Sequence, residues 1–247
     1  MLSTASKIKP AKMKKSPLFR ILSIILCSAL LVGSLSAASA KNVLLVIEMK
    51  GKSRKVDDVL AAHLKELGHT VTVVDAAEPD SRAEGQDLVI ISSSVGSADM
   101  KEKYAASTAP VITWESYILP FFHMAGKEKY VNFAVDASKD EQTITLINQG
   151  HPLQAGLPNG ELKTYFKAQN RMEWAKPLPS AVKIANITGE PDKICLFGYE
   201  KGAALDDGIK APNKRVFLFL YDDTFDKLLP PGLALFDAAV AWSLTPG

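Results

Sequence analysis

The chain has 247 residues, a net charge of +2 at pH 7 and a hydrophobic fraction of 47%. This length and this apolar content suffice for one domain with a sizeable core. The two cysteines, Cys27 and Cys195, show no CxxC or Cys/His ligand spacing, so neither a disulfide framework nor a cysteine metal site is predicted.

The first 40 residues have the three parts of a secretory signal peptide. They contain six basic and no acidic residues, an apolar stretch at 21–35, and Ala38-Ser39-Ala40 as a cleavage site. We predict export to the periplasm or the extracellular space, with cleavage after Ala40. An uncleaved membrane anchor is the alternative, and after cleavage no membrane contact is expected.

Cleavage changes the size and charge of the protein. Removing 40 of 247 residues leaves 207, and removing six positive charges from +2 leaves about −4. No basic patch with interleaved aromatic residues remains, so a nucleic-acid partner is not expected.

The first half of the mature chain alternates apolar strands with helical patterns. Strands are predicted at 42–48, 69–75, 87–92 and 110–113. A helix follows the first strand, with Ser53 as its N-cap and Gly68 at its C-terminus, and a second helix is predicted at 97–107. This pattern predicts an α/β, flavodoxin-like, mostly parallel sheet with helices on both faces and its functional edge at the strand carboxyl ends.

The second half is rich in β signals. Strands are predicted at 130–135, 142–147, 182–188, 193–199 and 215–220, and a last helix begins at Pro230 and packs on the sheet. A hairpin connection is predicted at 189–192. No repeats or linkers interrupt the chain, so a single domain at 41–247 is expected.

Several motifs carry a resemblance to a known family. They are NVLLVIE (42–48), HLKELGHTVTVVD (63–75), DLVIISSSV (87–95), PVITWESYI (110–118), GHPLQAGL (150–157) and ALFDAAVAW (234–242). The chain resembles the class I glutamine amidotransferase-like fold, and within it the ThuA-like group and related modules of secreted bacterial proteins. The resemblance to the ThuA-like group implies a carbohydrate-related role.

The chain departs from the amidotransferase pattern at its strand-turn-helix elbow. Trp114 and Glu115 stand where an amidotransferase has its cysteine, and no downstream His-x-Glu pair is present. Because nucleophilic catalysis needs a nucleophile beside a base, amidotransfer is not expected. Whether the chain is an enzyme of another kind stays open.

Polar residues follow the strands at the predicted functional edge. Ser93, Ser94 and Glu48 are candidate ligand contacts, although serines at a strand end also serve as caps. Trp114 and Glu115 form a pair suited to binding a sugar; alternatively, Trp114 fills the core and Glu115 caps a helix. A pair of carboxylates at this edge would also suit acid–base chemistry.

Two further sites come from the second half. His151, in a turn before Pro152, suits ligand binding or general-base duty, although a structural role is favoured. At 222–223, two aspartates follow a strand, and a turn cap is favoured over ligand contact. The loop after Glu48 has a single glycine, so no nucleotide cofactor is expected, and no metal is assigned.

These observations lead to three hypotheses. The first is an exported module that binds a small polar molecule or a glycan through Trp114, Glu115, Ser93, Ser94 and His151. The second is a sugar-acting hydrolase or isomerase that uses Glu115 and His151 as acid and base. The third is a cell-surface protein-interaction module without a pocket and with an exposed apolar patch.

Overall fold

A computed structural model describes residues 39–137, 143–167, 169 and 171–247. Residues 39–247 form one compact unit. The predicted signal peptide lies outside the described residues except for its last two positions, and so does the first residue of the strand predicted at 142–147. Among the described residues, no helix is both long and apolar enough to cross a membrane.

The described residues form eleven strands and three α-helices. The strands are β1 (Asn42–Ile47), β2 (Thr70–Asp75), β3 (Leu88–Ile91), β4 (Val111–Thr113), β5 (Phe133–Asp136), β6 (Thr143–Leu146), β7 (Gly160–Lys163), β8 (Met172–Ala175), β9 (Val182–Ile187), β10 (Glu190–Tyr199) and β11 (Arg215–Phe217). The helices are α1 (Arg54–Glu66), α2 (Ser97–Met100) and α3 (Pro230–Leu244).

The sheet has a parallel half and an antiparallel half. Its order is β2-β1-β3-β4-β11-β10-β9-β6-β7, and all pairs from β2 to β11 are parallel. β10 runs antiparallel to both β11 and β9. The α/β, mostly parallel core of the sequence prediction is therefore confirmed, and the β-rich second half extends the same sheet.

The helices cover both faces of the sheet. On one face, Leu60 and Leu64 of α1 and Phe236 of α3 pack with Leu45 and other inward residues of β1. On the opposite face, Met100 of α2 joins a second core. Such double coverage explains why β1 and β3 are continuous apolar runs.

Differences from the sequence prediction include the second helix and the hairpin after β9. The helix predicted at 97–107 ends at Met100, because Lys101 adopts a φ of 42° in the left-handed region, which breaks the helix. The hairpin between β9 and β10 turns at Thr188 and Gly189, and residues 190–192 already belong to β10.

β8 joins the sheet in a way that matters for the site. It pairs with β5 along its whole length and with β10 at Ile194. β11 pairs only with the last part of β10, from Phe197 to Tyr199. β8 therefore lies past the carboxyl end of β11 and brings its side chains to the carboxyl edge of the parallel strands.

Candidate functional site at the carboxyl edge of the sheet

The serine loop after β3 connects this strand to β1 and α1. The Ser92 hydroxyl donates to Asp57 Oδ1 at 2.8 Å, and Ser94 Oγ accepts the amide hydrogen of Glu48 at 3.3 Å. Asp57 lies in the first turn of α1 and is 3% exposed. The predicted residues Glu48, Ser93 and Ser94 thus lie together at the carboxyl edge.

Trp114, directly after β4, lies in the core. Its side chain is 2% exposed and packs edge-on against Phe236 of α3, with ring centroids 6.4 Å apart. The ring therefore presents no face to a ligand, and the prediction of a tryptophan platform for a sugar is corrected. The structure agrees with the alternative interpretation of the sequence, in which Trp114 fills the core.

Glu115 follows Trp114 and caps a short 3-10 helix at Ser116–Ile118. Its Oε1 accepts the amide hydrogen of Tyr117 at 2.9 Å, and the residue is 6% exposed. Burial raises the pKa of Glu115 to about 8, and the nearby Asp222 carboxyl adds to this, while the Tyr117 amide opposes it. At neutral pH Glu115 is therefore mainly protonated.

Glu173 on β8 is a second buried acid at this edge, at 1% exposure. Burial raises its pKa well above the ordinary range, the Glu115 carboxyl raises it further, and Ser116 favours the ionised form. Sequence reasoning missed Glu173 because the strand that carries it was not predicted. The sequence signal that could have identified it is a glutamate among the apolar residues of MEWA (172–175).

Asp222 is a half-buried acid that interacts electrostatically with Glu115 and Glu173. Burial raises its pKa, and Asp223 adds to the rise, while Ser93 and Arg171 favour its ionised form. Burial also raises the pKa of Asp57, to which Asp222 contributes. Asp222 therefore acts electrostatically on buried acids from three parts of the chain, so the turn-cap interpretation of 222–223 is incomplete.

Several buried polar atoms at this edge make no hydrogen bond of ordinary geometry within the described part of the chain. They are Asp57 Oδ2, Ser93 Oγ, Ser116 Oγ and Glu173 Oε2. The Ser93 and Ser116 hydroxyl groups nevertheless favour the ionised forms of Asp222 and Glu173, so the buried polar groups at this edge form one electrostatically coupled cluster.

A cavity of about 570 Å³ opens beside Asp222. Its charged lining consists of Lys52, Lys167, Arg171, Lys227, Asp222 and Asp223, and hydroxyl and amide side chains complete it. Its position matches the place where open parallel sheets bind their ligands. In the described ranges, no group of three or more His, Cys, Asp or Glu side chains is arranged to hold a metal ion.

His151 lies at the opposite edge of the sheet. Its ring packs 5.7 Å from that of Trp242, whose carbonyl oxygen accepts a hydrogen bond from Lys214 Nζ at 3.0 Å. Lys214 precedes β11 and so marks the amino edge, whereas Glu115 follows the carboxyl end of β4. Glu115 and His151 therefore cannot act together as acid and base, and both the catalytic pair and His151 as a ligand contact at the carboxyl edge are corrected.

His151 instead has a structural role. Its Nδ1 accepts the amide hydrogen of Leu153 at 3.2 Å and caps a 3-10 helix at Pro152–Gln154. Burial lowers its pKa, and Lys214 contributes in the same direction, while Glu200 opposes the shift. The neutral ring is the form that serves as a cap.

Cys195 belongs to a different strand from the one that leads into the elbow. Cys195 lies within β10, is fully buried, and its thiol donates to the Ala185 carbonyl oxygen at 3.6 Å. A fully buried thiol is not accessible to a substrate. The elbow itself holds Trp114 and Glu115.

A solved structure resembles the whole domain. A crystal structure described as that of a GMP synthase subunit from Thermoplasma acidophilum superposes with a TM-score of 0.51 and 10% identity, over 83% of this chain and 96% of that one. The chain has a class I glutamine amidotransferase-like fold. At this identity the likeness establishes the fold alone. No family model and no curated protein sequence matches the chain.

Proposed function

We propose that the chain is an exported module that binds a small polar molecule or carbohydrate at the carboxyl edge and does not transfer amide nitrogen from glutamine. The observation that carries the proposal is the cavity of about 570 Å³ beside Asp222, with its charged and hydroxyl-bearing lining. Polar groups that converge in a concave site provide the orientation and specificity of small-molecule binding.

The carbohydrate part of the proposal rests on two supports. The first is that the GHPLQAGL motif of the chain resembles a segment of ThuA-like domains. The cavity also offers carboxyl, amide and tyrosyl groups, which form hydrogen bonds with sugar hydroxyl groups. The Asp222 carboxyl also raises the pKa of the buried Glu115 and Glu173, which favours their protonated, hydrogen-bonding form.

The proposal that the protein does not catalyse amidotransfer is supported by the residues at the strand-turn-helix elbow. Trp114 is packed in the core and Glu115 is engaged by the Tyr117 amide, so neither is placed as an acyl-transfer nucleophile. A glutaminase assay on the purified protein is expected to show no ammonia release above a heat-inactivated control. Release of ammonia would contradict this part of the proposal.

Binding is tested by thermal shift of the purified protein with mono- and oligosaccharides. A ligand that binds only the native state raises its stability by about 2.7 kcal/mol at a concentration 100-fold above Kd. The Asp222→Asn variant is expected to lose the shift, and Asp226→Asn, an exposed change outside the cavity, to keep it. A shift that survives Asp222→Asn would place the ligand elsewhere.

Export is tested separately by amino-terminal sequencing of the protein recovered outside the cytoplasm. A mature terminus at Lys41 is expected. Recovery of the uncleaved chain in the membrane fraction would support the anchor alternative instead.

A second candidate function, protein interaction, is supported by an aromatic surface. Tyr117, Phe121 and Phe133 line an apolar cavity of about 350 Å³, and Lys129 lies over the rings of both Tyr117 and Tyr130. Phe121 is 42% exposed and Tyr130 is 69% exposed. Loss of partner capture on Phe121→Ser, with saccharide shifts unchanged, would favour this function.

A further inference from the structure

Three basic side chains line the cavity and form no salt bridge at contact distance in the described part of the chain. Within the described residues, Lys52, Lys167 and Arg171 form no ion pair. The exposed carboxylate of the cavity is already engaged, because Asp223 pairs with Lys227 at 2.9 Å. The cavity lining therefore has an excess of basic over acidic side chains.

Arg171 is held in place for binding. Its Nη1 donates to Tyr221 Oη at 2.8 Å, and its guanidinium carbon lies 5.1 Å from the centre of the Tyr221 ring. A guanidinium group has five N–H donors in a rigid fork that matches the geometry of carboxylate and phosphate. With one donor used by Tyr221, others stay available for an oxyanion.

The N-terminal end of α1 adds to the positive potential in the cavity. The helix has 13 residues and starts directly after Lys52 and Ser53, both of which line the cavity. Ser53 makes no side-chain capping hydrogen bond, and the one acid of the first turn, Asp57, points to Ser92. Amide groups at a helix N-terminus favour negative charge nearby.

Asp222 is an acidic residue of the same lining. It interacts electrostatically with Ser93, Arg171 and the buried Glu115 and Glu173. A carboxyl group in this position accepts hydrogen bonds from hydroxyl groups or donates to them, and it disfavours an anion directly beside it. The lining thus combines an excess of basic side chains with a carboxyl group that can bind hydroxyl groups.

We propose that the cavity binds a hydroxylated small molecule with an oxyanion group, such as a sugar phosphate or a sugar carboxylate. Lys52, Lys167, Arg171 and the N-terminus of α1 hold the oxyanion, and Asp222 binds the hydroxyl groups. This inference rests on the proposed binding function and names its ligand class.

Calorimetric titration of the purified protein with four probes tests the inference. The probes are glucose, glucose 6-phosphate, glucuronate and inorganic phosphate. At least one of the two charged sugars is expected to bind about 10-fold or more tightly than glucose, with an affinity that decreases as salt is added. The stronger of the two identifies phosphate or carboxylate as the group recognised.

Substitutions of the basic residues test which side chains bind the oxyanion. Arg171→Gln and Lys52→Gln are expected to weaken binding of the charged sugar by about 10-fold and to weaken glucose much less, because they remove charge-assisted hydrogen bonds to the oxyanion. Both residues are exposed, and Lys65→Gln, an exposed change at the other end of α1, is the matched control. Inorganic phosphate that binds as tightly as glucose 6-phosphate would overturn the role of Asp222.

The outcomes separate this inference from the proposed function. Equal affinity for glucose and both charged sugars, unchanged in Arg171→Gln, would overturn the oxyanion site and leave polar-ligand binding intact. No heat or thermal shift with any saccharide or with phosphate would overturn both.

Discussion

The carboxyl groups of Glu115 and Glu173 lie close enough that, after burial, Glu115 is the largest cause of the raised pKa of Glu173. They come from elements that are distant in sequence, the turn after β4 and the strand β8. Both are shielded from solvent, and two neighbouring carboxylates in such a setting repel one another strongly. This pair gives the carboxyl edge its electrostatic character.

The pair makes folding stability depend on pH. The pKa of Glu115 is about 8 in the folded protein, above its ordinary value of 4.5, so the folded state binds more protons than the unfolded state between these values. Stability then falls as pH rises, by about 1.4 kcal/mol per pH unit for each carboxyl that stays protonated only in the folded state.

The pH range in which this dependence of folding stability is best measured is 6.5 to 8. Below it, His69 and His151, whose pKa values are lowered by burial, act in the opposite direction. Equilibrium denaturation at three pH values in this window is expected to show decreasing stability. Glu115→Gln, which still accepts the Tyr117 amide, is expected to reduce the slope, whereas the exposed Glu66→Gln leaves it unchanged. A wild-type stability that rises across the window would contradict the buried pair.

The hydrogen bond from Ser92 to Asp57 fixes α1 against the carboxyl end of β3. Ser92→Ala removes the hydrogen-bond donor to Asp57 Oδ1. We expect a loss of about 1–3 kcal/mol in the free energy of unfolding, because a buried acceptor is left unsatisfied. Urea denaturation measures it.

Two controls belong to this measurement. Ser81→Ala changes an exposed serine of a 3-10 helix and is expected to have little effect. Asp57→Asn keeps an acceptor for Ser92 and removes a buried ionisable group, so it is expected to cost less than Ser92→Ala. Equal costs for Ser92→Ala and Ser81→Ala would show that the bond contributes nothing.

The parallel half of the sheet was predictable from the sequence because its physical signal is local. β1 and β3 are apolar runs buried on both faces, and the spacing of Leu60 and Leu64 identifies the inner face of α1. β7 and β8 were missed, since β7 is a short exposed strand and β8 carries a charged residue among apolar ones. Their strand character comes from partners far away in sequence.

The candidate site was predictable only in its location. The carboxyl edge follows from the topology, and Glu48, Ser93, Ser94 and Glu115 do lie there. The role of Trp114 depends on Phe236, which packs on it from the last helix, and no local pattern shows that contact.

Asp57 was missed although a signal for it exists. It lies three residues before Leu60 and seven before Leu64, on the buried face of α1. A carboxyl on the inner face of a helix at the carboxyl edge is a functional candidate, because burying an acid is costly.

Arg215 supports the strand that carries the elbow. It is 1% exposed and donates to five backbone carbonyl oxygens, those of Ala105, Ser107, Ala109, Asn213 and Lys214. These bonds tie the segment before β4 to the start of β11. Burial lowers the pKa of Arg215 to about 10, so the guanidinium stays charged at neutral pH.

Arg215→Met is therefore expected to destabilise the protein by about 3 kcal/mol or more, because it leaves several buried carbonyl groups without donors. Arg215→Lys keeps the charge but not the planar fork, and a smaller loss is expected. Guanidinium denaturation of both variants checks this order. A methionine variant as stable as the lysine variant would show that the carbonyl contacts are dispensable.

Gly232, in the first turn of α3, permits close contact between the helix and the segment after β7. A Cβ atom at this position would lie 2.7 Å from the Thr164 carbonyl oxygen and 2.9 Å from Leu228 Cδ2. Helix propensity alone favours alanine over glycine by about 1 kcal/mol. The contact with a backbone oxygen opposes this gain, because backbone atoms move less readily than the end of a side chain.

We expect Gly232→Ala to destabilise the protein, with a steric cost of about 1–3 kcal/mol that exceeds the propensity gain. Ala238→Gly, the reverse change on a half-buried position of the same helix, measures the propensity difference itself and is expected to cost about 1 kcal/mol. Thermal and urea denaturation of the two variants separate the effects. If Gly232→Ala were more stable than the wild type, α3 would not approach Thr164 as closely as the structure places it.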